Sequence, residues 1–445
     1  MCATALFTPL SSLYKTNHML LQKSRIVQLL AALLLLAFFT GCLKDSCKNS
    51  YTIYRPVYKS LTAVRNEMKW EAPRNIEMPG KIYLYGKYLL VNDVDKGIHV
   101  FDNSAPAAPK KLGFLRIPGN VDMAIRNNVL YADSYADLAA FSIGDWNDAK
   151  PIAFRNKVFA DRNNYWGTFT NTDSVQVIVS YEAKDTVVDC ETVNTWRNCT
   201  SCIFEDAGGR PFFANASAAA APLPVNGTGG SMARFTLVND YLYTVTNSTL
   251  STFAVSDAQN PVLVDSRQLG WNIETIFPFA NKLFIGSATG MFIYDLANPA
   301  APEPKGTFSH ARVCDPVIAE ESFAFVTLRS GQPRCGGIIN QLDVVNIANL
   351  SAPKLLKSYP LTNPHGLSKD GDRLFVCDGS AGLKVFDATD PSGLKLLQAF
   401  NGMGETFDVI AHNNIALVVA KDGLYQYDYT NRNAIKLISK IAVSK

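Results

Sequence analysis

The chain lacks the short motifs that mark the common catalytic centres. It contains no Gly-x-Ser-x-Gly nucleophile elbow, no His-Glu-x-x-His metal motif and no phosphate-cradling glycine loop. Histidine is scarce. Of five, His18 lies close to the N-terminus, and His99, His310, His365 and His412 are widely scattered, so a multi-His metal centre is not expected. A basic tract is also missing. The formal charge of +3 comes from Lys15, Lys23 and Arg25 in the first 41 residues, a stretch without acids; beyond it 39 basic residues face 39 acidic ones. Nucleic-acid backbone binding needs clustered Lys and Arg, which excludes that class. Past the leader no long stretch shows helical periodicity.

What is present is β-type and repetitive. A short apolar run ends in Asp, and a proline-containing turn follows. The clearest copies are Gly97-Ile98-His99-Val100-Phe101-Asp102 before Pro106 and Pro109, Gly290-Met291-Phe292-Ile293-Tyr294-Asp295 before Pro299 and Pro302, and Gly382-Leu383-Lys384-Val385-Phe386-Asp387 before Pro391. The recurring Asp102, Asp295, Asp387 and Asp428 read as structural, accepting backbone N–H bonds in the turns they precede. Four short strands per repeat of about 40 residues predict an all-β chain folded as a β-propeller. Seven four-stranded blades fit, with eight as the alternative. Each blade has two apolar faces that it can bury only against neighbours, and 47% hydrophobic content supplies such a core. Closure must involve both ends of the repeat array, and residues 63–78, with Val64 and Ile76, are expected as a strand beside the last unit.

Units begin 40–50 residues apart, but 112 residues separate Asp122 from Arg234. The surplus, at about 156–230, reads as an insertion on the second blade, with a strand at Ser174–Val179; a degenerate eighth blade is the other reading. Long insertions on a propeller rim suit partner contact.

The phrase at 97–106 and the run Ile117-Pro118-Gly119-Asn120-Val121-Asp122-Met123-Ala124 resemble the LVIVD-repeat proteins. That resemblance implies a bacterial, exported β-propeller, in many members lipid-anchored, with no shared reaction to carry over. The N-terminus agrees with export. Lys23 and Arg25 precede an apolar run to Phe39, and Phe39-Thr40-Gly41-Cys42 resembles a lipobox, in which the Cys takes lipid. Residues 1–41 are expected as a lipoprotein signal, with 1–18 a mis-called start if Met19 is the true one. Residues 42–62 follow as a tether and 63–445 as the propeller. A plain secretory signal and an uncleaved helix are the other readings. The expected address is the cell envelope, with lipid on Cys42 as the membrane contact.

The candidate site is a ring. Seven to nine residues before each second-strand core stand Lys81, Asp122, Arg234, Glu274, Asp315, His365 and Asp408. First strands line a propeller's channel, so these side chains are expected around the axis, with Asn120, Trp271, Asn272, Arg312, Asn363 and Thr406 near the mouth. Either the ring binds a small polar ligand, peptide or glycan, or its charges pair among themselves in a wet channel. No cofactor is required; Ca²⁺ is the one cation a carboxylate-rich ring would suit. A hydrolase or lyase using two of the carboxylates is the alternative function, and a partner surface on the insertion is a third. Among the cysteines, Cys314 with Cys335, and a pair drawn from Cys190, Cys199 and Cys202, are disulfide candidates, while Cys377 on an apolar strand is expected as a buried thiol.

Overall fold

Apolar runs of five to seven residues, bounded by Asn, Asp and Gly, fold locally into antiparallel hairpins. Three of these hairpins turn on Asn127-Asn128, Ala280-Asn281 and Asn413-Asn414, all with positive φ, as two-residue turns matching strand twist require. The computed structural model describes residues 48–160, 165–166, 173–189, 226–310, 313, 316–330 and 337–444. It divides into two compact units, residues 1–55 with 183–204, and 56–182 with 205–445.

The second unit holds seven four-stranded blades, each an antiparallel meander running outward from the axis. The inner strands are Pro79–Tyr85, Met123–Arg126, Phe235–Val238, Ile273–Phe279, Val317–Glu320, Leu367–Asp370 and Thr406–His412. Each touches the next, and the last returns to the first, so the ring is closed. We number the blades 1 to 7 in that order. Second and third strands are packed on both faces and read as continuous apolar runs, for example Leu89-Leu90-Val91 and Ala416-Leu417-Val418-Val419.

Closure needs no strand exchanged between the first and last blades. Ile82, Leu89, Val91 and Phe101 of blade 1 pack with Ile410, Leu417, Val419 and Leu424 of blade 7 in one apolar cluster. Asn103 and Gln426 exchange side-chain amide bonds of 3.1 and 2.8 Å across the same seam. The expectation for residues 63–78 is corrected. Leu61–Asn66 is a helix capped by Ser60, whose Oγ accepts from Ala63 N at 3.1 Å, and Val64 is buried on it. Lys69–Glu71 pairs with Lys110–Arg116, the outer strand of blade 1, not with the last blade. Only Ile76 reaches the last blade's chain end, through a parallel bridge to Val443.

Two devices recur in every blade. Each outer strand carries one extra residue at the same point: Leu112, Ile152, Val264, Lys305, Leu356, Leu397 and Ile438. In blades 2 to 7 these bulges twist an otherwise open edge away from further pairing, whereas in blade 1 Lys69–Glu71 covers that edge beyond the bulge. The turn before the outer strand is also built alike. Asp102, Asp295, Asp387 and Asp428 each accept a backbone N–H two residues on, at 2.8–3.0 Å. Asp145 and Asp257, displaced by three residues in blades 2 and 3, do the same job at a second position that Asn298, Asn349, Asp390 and Asn431 also fill. The structural reading of these acids holds.

Lys48–Ser60, within the stretch expected as a tether, is a strand. In the first unit Thr52 Oγ1 donates to Asp185 Oδ1 at 2.7 Å. Of the expected insertion, Gln176–Asp189 is a strand, and Val175 and Val177 are buried with Phe159 in the core of blades 1 to 3. Residues 1–41, Cys42, Cys190, Cys199, Cys202, Cys314 and Cys335 lie outside the described residues, and no described helix is long and apolar enough to cross a membrane. Cys377 is a buried free thiol whose pKa burial pushes up.

Candidate functional site

Inner strands begin at one end of the channel, and bulges there place the residues of interest. Blades 1, 4 and 7 each carry one extra residue at this point, at Gly80–Lys81, Glu274 and Phe407. An unpaired residue in a bulge can turn its side chain away from the sheet's ordinary alternation.

Lys81 is 2% exposed. Its Nζ donates to Asp122 Oδ2 at 2.9 Å and to the carbonyl of Met232 at 2.7 Å. Burial pushes its pKa down, and the Asp122 carboxylate opposes that shift. Asp122 also accepts from the backbone N–H groups of Arg234 at 2.7 Å and Met123 at 2.7 Å. The charge is thereby paired and hydrogen-bonded on both sides, which a buried ion pair requires.

Met232 and Arg234 belong to a segment that crosses the channel. Thr228–Gly229 pairs antiparallel with Tyr83-Leu84, adding a strand on the axial side of blade 1. Gly227 N donates to Ile125 O of blade 2, and Ile276 N of blade 4 donates to Ala233 O. Ser231 Oγ accepts from Leu367 N of blade 6 at 2.6 Å and donates to Asp408 Oδ1 of blade 7 at 3.5 Å. Five blades thus hold residues 227–234, and Gly230, Ser231, Met232 and Ala233 are all buried. Small residues are required. A Cβ on Gly227 would stand 2.1 Å from the Tyr83 ring, and one on Gly366 would stand 2.1 Å from Asp408 Oδ1. The end of the long insertion is therefore a plug, and the channel has a floor.

Around the far side, His365 is buried, edge-on to Phe407, with its Nε2 3.3 Å from Asn363 Nδ2 and 3.8 Å from the Glu405 carboxylate. Burial, and secondarily the Arg329 guanidinium, push its pKa well down, so it is neutral at pH 7. Arg329 lies just beyond the second strand of blade 5 and is 6% exposed; Glu274 and Glu405, both half-buried, are its electrostatic partners. Trp271, three residues before Glu274, is 79% exposed, the most exposed aromatic among the described residues.

The structure thus gathers Lys81, Asp122, Arg234 and Asp408 around the plug, and Glu274 and His365 around Arg329. Asp315 and Arg312 lie outside the described residues. Asn120 and Thr406 are buried and serve their own turns: Asn120 Nδ2 donates to Asp133 Oδ1 at 2.8 Å, and Thr406 Oγ1 to Gly379 O at 3.1 Å. Among the described residues no three His, Cys, Asp or Glu side chains converge in a way that suits a metal. Sequence reasoning missed Arg329, Glu405 and the plug. It also missed Asp93, Asp133 and Asp378, buried acids near second-strand ends that each accept two backbone N–H groups of the turn entering their blade. Comparing second-strand ends across the repeats, rather than first-strand starts alone, would have flagged Arg329 beside those acids.

A family model described as the LVIVD repeat matches residues 79–113 and 338–360, which lie in blades 1 and 5. No curated protein matches the chain. Among solved structures, a protein from Lactobacillus plantarum is similar at 14% identity and a TM-score of 0.53, covering 82% of this chain and 97% of that one. A functionally unknown protein from Desulfotomaculum acetoxidans is 11% identical, with a TM-score of 0.48 over 82% of this chain and 95% of that one. The computationally designed protein Ika8 is 8% identical, with a TM-score of 0.49 over 83% and 88%. At such identity the first of these speaks for the fold alone.

Proposed function

For this seven-bladed β-propeller with LVIVD repeats, we propose a binding module of the cell envelope, held to the membrane by lipid on Cys42, that takes a polar ligand at the channel mouth. One observation carries the ligand reading. Trp271, three residues before half-buried Glu274 in the segment that leads into blade 4, stands in water, while the chain's own residues 227–234 occupy the channel. An exposed indole gains most from a ligand that covers it, and charged side chains over a closed floor supply orientation. Lys81, Asp122 and Asp408 support that floor in this reading, while Arg234, Glu274 and His365 border the ligand.

Glycan and peptide arrays probed with the wild type, Trp271→Ala and Glu274→Gln test the reading. Retention by the wild type and loss in both variants is expected; equal retention by all three would place the ligand elsewhere. The anchor is tested separately. Cys42→Ser should move the protein from the membrane fraction to the soluble fraction, because the acyl chains hold it there. The alternative, an envelope hydrolase or lyase, has Glu274 and Glu405 as its acids, and turnover of an array-positive glycan that Glu274→Gln abolishes would replace the binding reading.

A further inference from the structure

Near the end of their second strands, blades 1, 2 and 6 each bury an acid that ties down the turn entering the blade: Asp93, Asp133 and Asp378. Blade 5 instead puts Arg329 just past its second strand. A guanidinium cannot accept those N–H bonds, so it does not serve the turn in that way. It is nonetheless 94% buried, its Nε has no hydrogen-bond partner, and it forms no ion pair among the described residues. Its electrostatic neighbours come from blade 4 (Glu274), blade 6 (His365) and blade 7 (Glu405). Blade 7 is two blades away, so a side chain that interacts electrostatically with all three is directed at the axis.

A buried cation with an unbonded Nε is expensive unless something completes it. The guanidinium fork matches a planar oxyanion. The flanking Glu274 and Glu405 narrow the choice further. They repel a phosphate dianion, tolerate a monoanionic carboxylate and attract a cationic group beside it. Neutral His365 and Asn363 add a hydrogen-bonding edge without adding charge.

From this we infer that the mouth binds a zwitterion, such as an amino acid or a short peptide, with its carboxylate on Arg329 and its ammonium group toward Glu274 and Glu405. The inference rests on the mouth being a ligand site. It goes beyond that reading by naming the ligand's charges and a residue that the ring of inner-strand positions does not contain.

Calorimetric titration at millimolar concentration with four probes tests it: glycylglycine, N-acetylglycine, glycinamide and methyl phosphate. Glycylglycine should bind best, N-acetylglycine more weakly, and glycinamide and methyl phosphate not measurably. Arg329→Gln should weaken glycylglycine about tenfold or more. The melting temperature of that variant should be unchanged or higher, since an incompletely bonded buried charge has been removed. A purely structural Arg329 would lower it instead. Preference for methyl phosphate, no binding of any probe, or undiminished binding by Arg329→Gln would overturn the inference. A neutral glycan retained through Trp271 would also overturn it, while leaving the binding-module reading in place.

Discussion

At the turn end of the propeller, the backbone bond that closes the turn before the outer strand is made in all seven blades, from Ala108 N to Ala105 O in blade 1 through Ala434 N to Asn431 O in blade 7, at 2.8–3.1 Å. At the channel end, corresponding inner-strand positions hold Lys81, Asp122, Arg234, Glu274, His365 and Asp408, and second strands finish near an Asp in three blades and an Arg in a fourth. One end repeats because every blade has the same geometric problem, a tight reversal with backbone groups to satisfy. The other end varies because seven side chains sharing one axis cannot all carry the same charge. Identical ends build the ring, and divergent ends give it a direction and a polar interior.

That contrast can be broken most severely at the floor. Lys81→Met leaves Asp122 buried beside only backbone donors and should cost about 3–5 kcal/mol in denaturant unfolding. A smaller loss would mean that water or another cation reaches Asp122. Gly227→Val drives a side chain into the Tyr83 ring and should cost about 1–3 kcal/mol. In that variant, hydrogen exchange should speed up at residues 227–234 and leave the outer strands unchanged. Uniform acceleration would mean that the plug is not a separate element.

The third effect depends on pH. His365 has a folded-state pKa below its unfolded value, so the unfolded chain binds the extra proton first. Its contribution is therefore intact above about pH 6.5 and is lost as pH falls toward the folded value, at most about 1.4 kcal/mol per pH unit. His365→Gln should flatten the stability profile in that window relative to the wild type; parallel profiles would place a solvated imidazole at the mouth. The smallest effect belongs to the turn end. Asp428→Ala removes one exposed turn bond, to Thr430 N, and should lower the melting temperature less than Lys81→Met or Gly227→Val, because the backbone bond from Ala434 N to Asn431 O still closes that turn.

Much of the turn end was legible in the sequence. Asp followed by a Pro-containing turn recurs in the clearest copies, and a local hydrogen bond needs only local residues. The offset of Asp145 and Asp257 looked like a departure from the pattern, yet both serve the second turn position. Much of the channel end was legible too, since inner-strand position alone picked out Lys81, Asp122 and Asp408, which the structure joins through the plug. What was not legible depends on long-range placement. Met232 meets Lys81 across 151 residues of sequence, and nothing local marks Asn226–Ala233 as a channel filler. Small residues there read as the tail of an insertion, although their smallness is what lets five blades approach. Val64 likewise looked like a strand residue, because the helix that carries it is only six residues long and is stabilised by packing rather than by a visible period.

The most direct test sets the two ends side by side: glycylglycine titrated into the wild type, Arg329→Gln and Asp428→Ala under one buffer. The account predicts binding by the wild type and by Asp428→Ala with equal affinity, and loss in Arg329→Gln. Equal affinity in all three, or loss in Asp428→Ala alone, would contradict the assignment of recognition to the channel mouth.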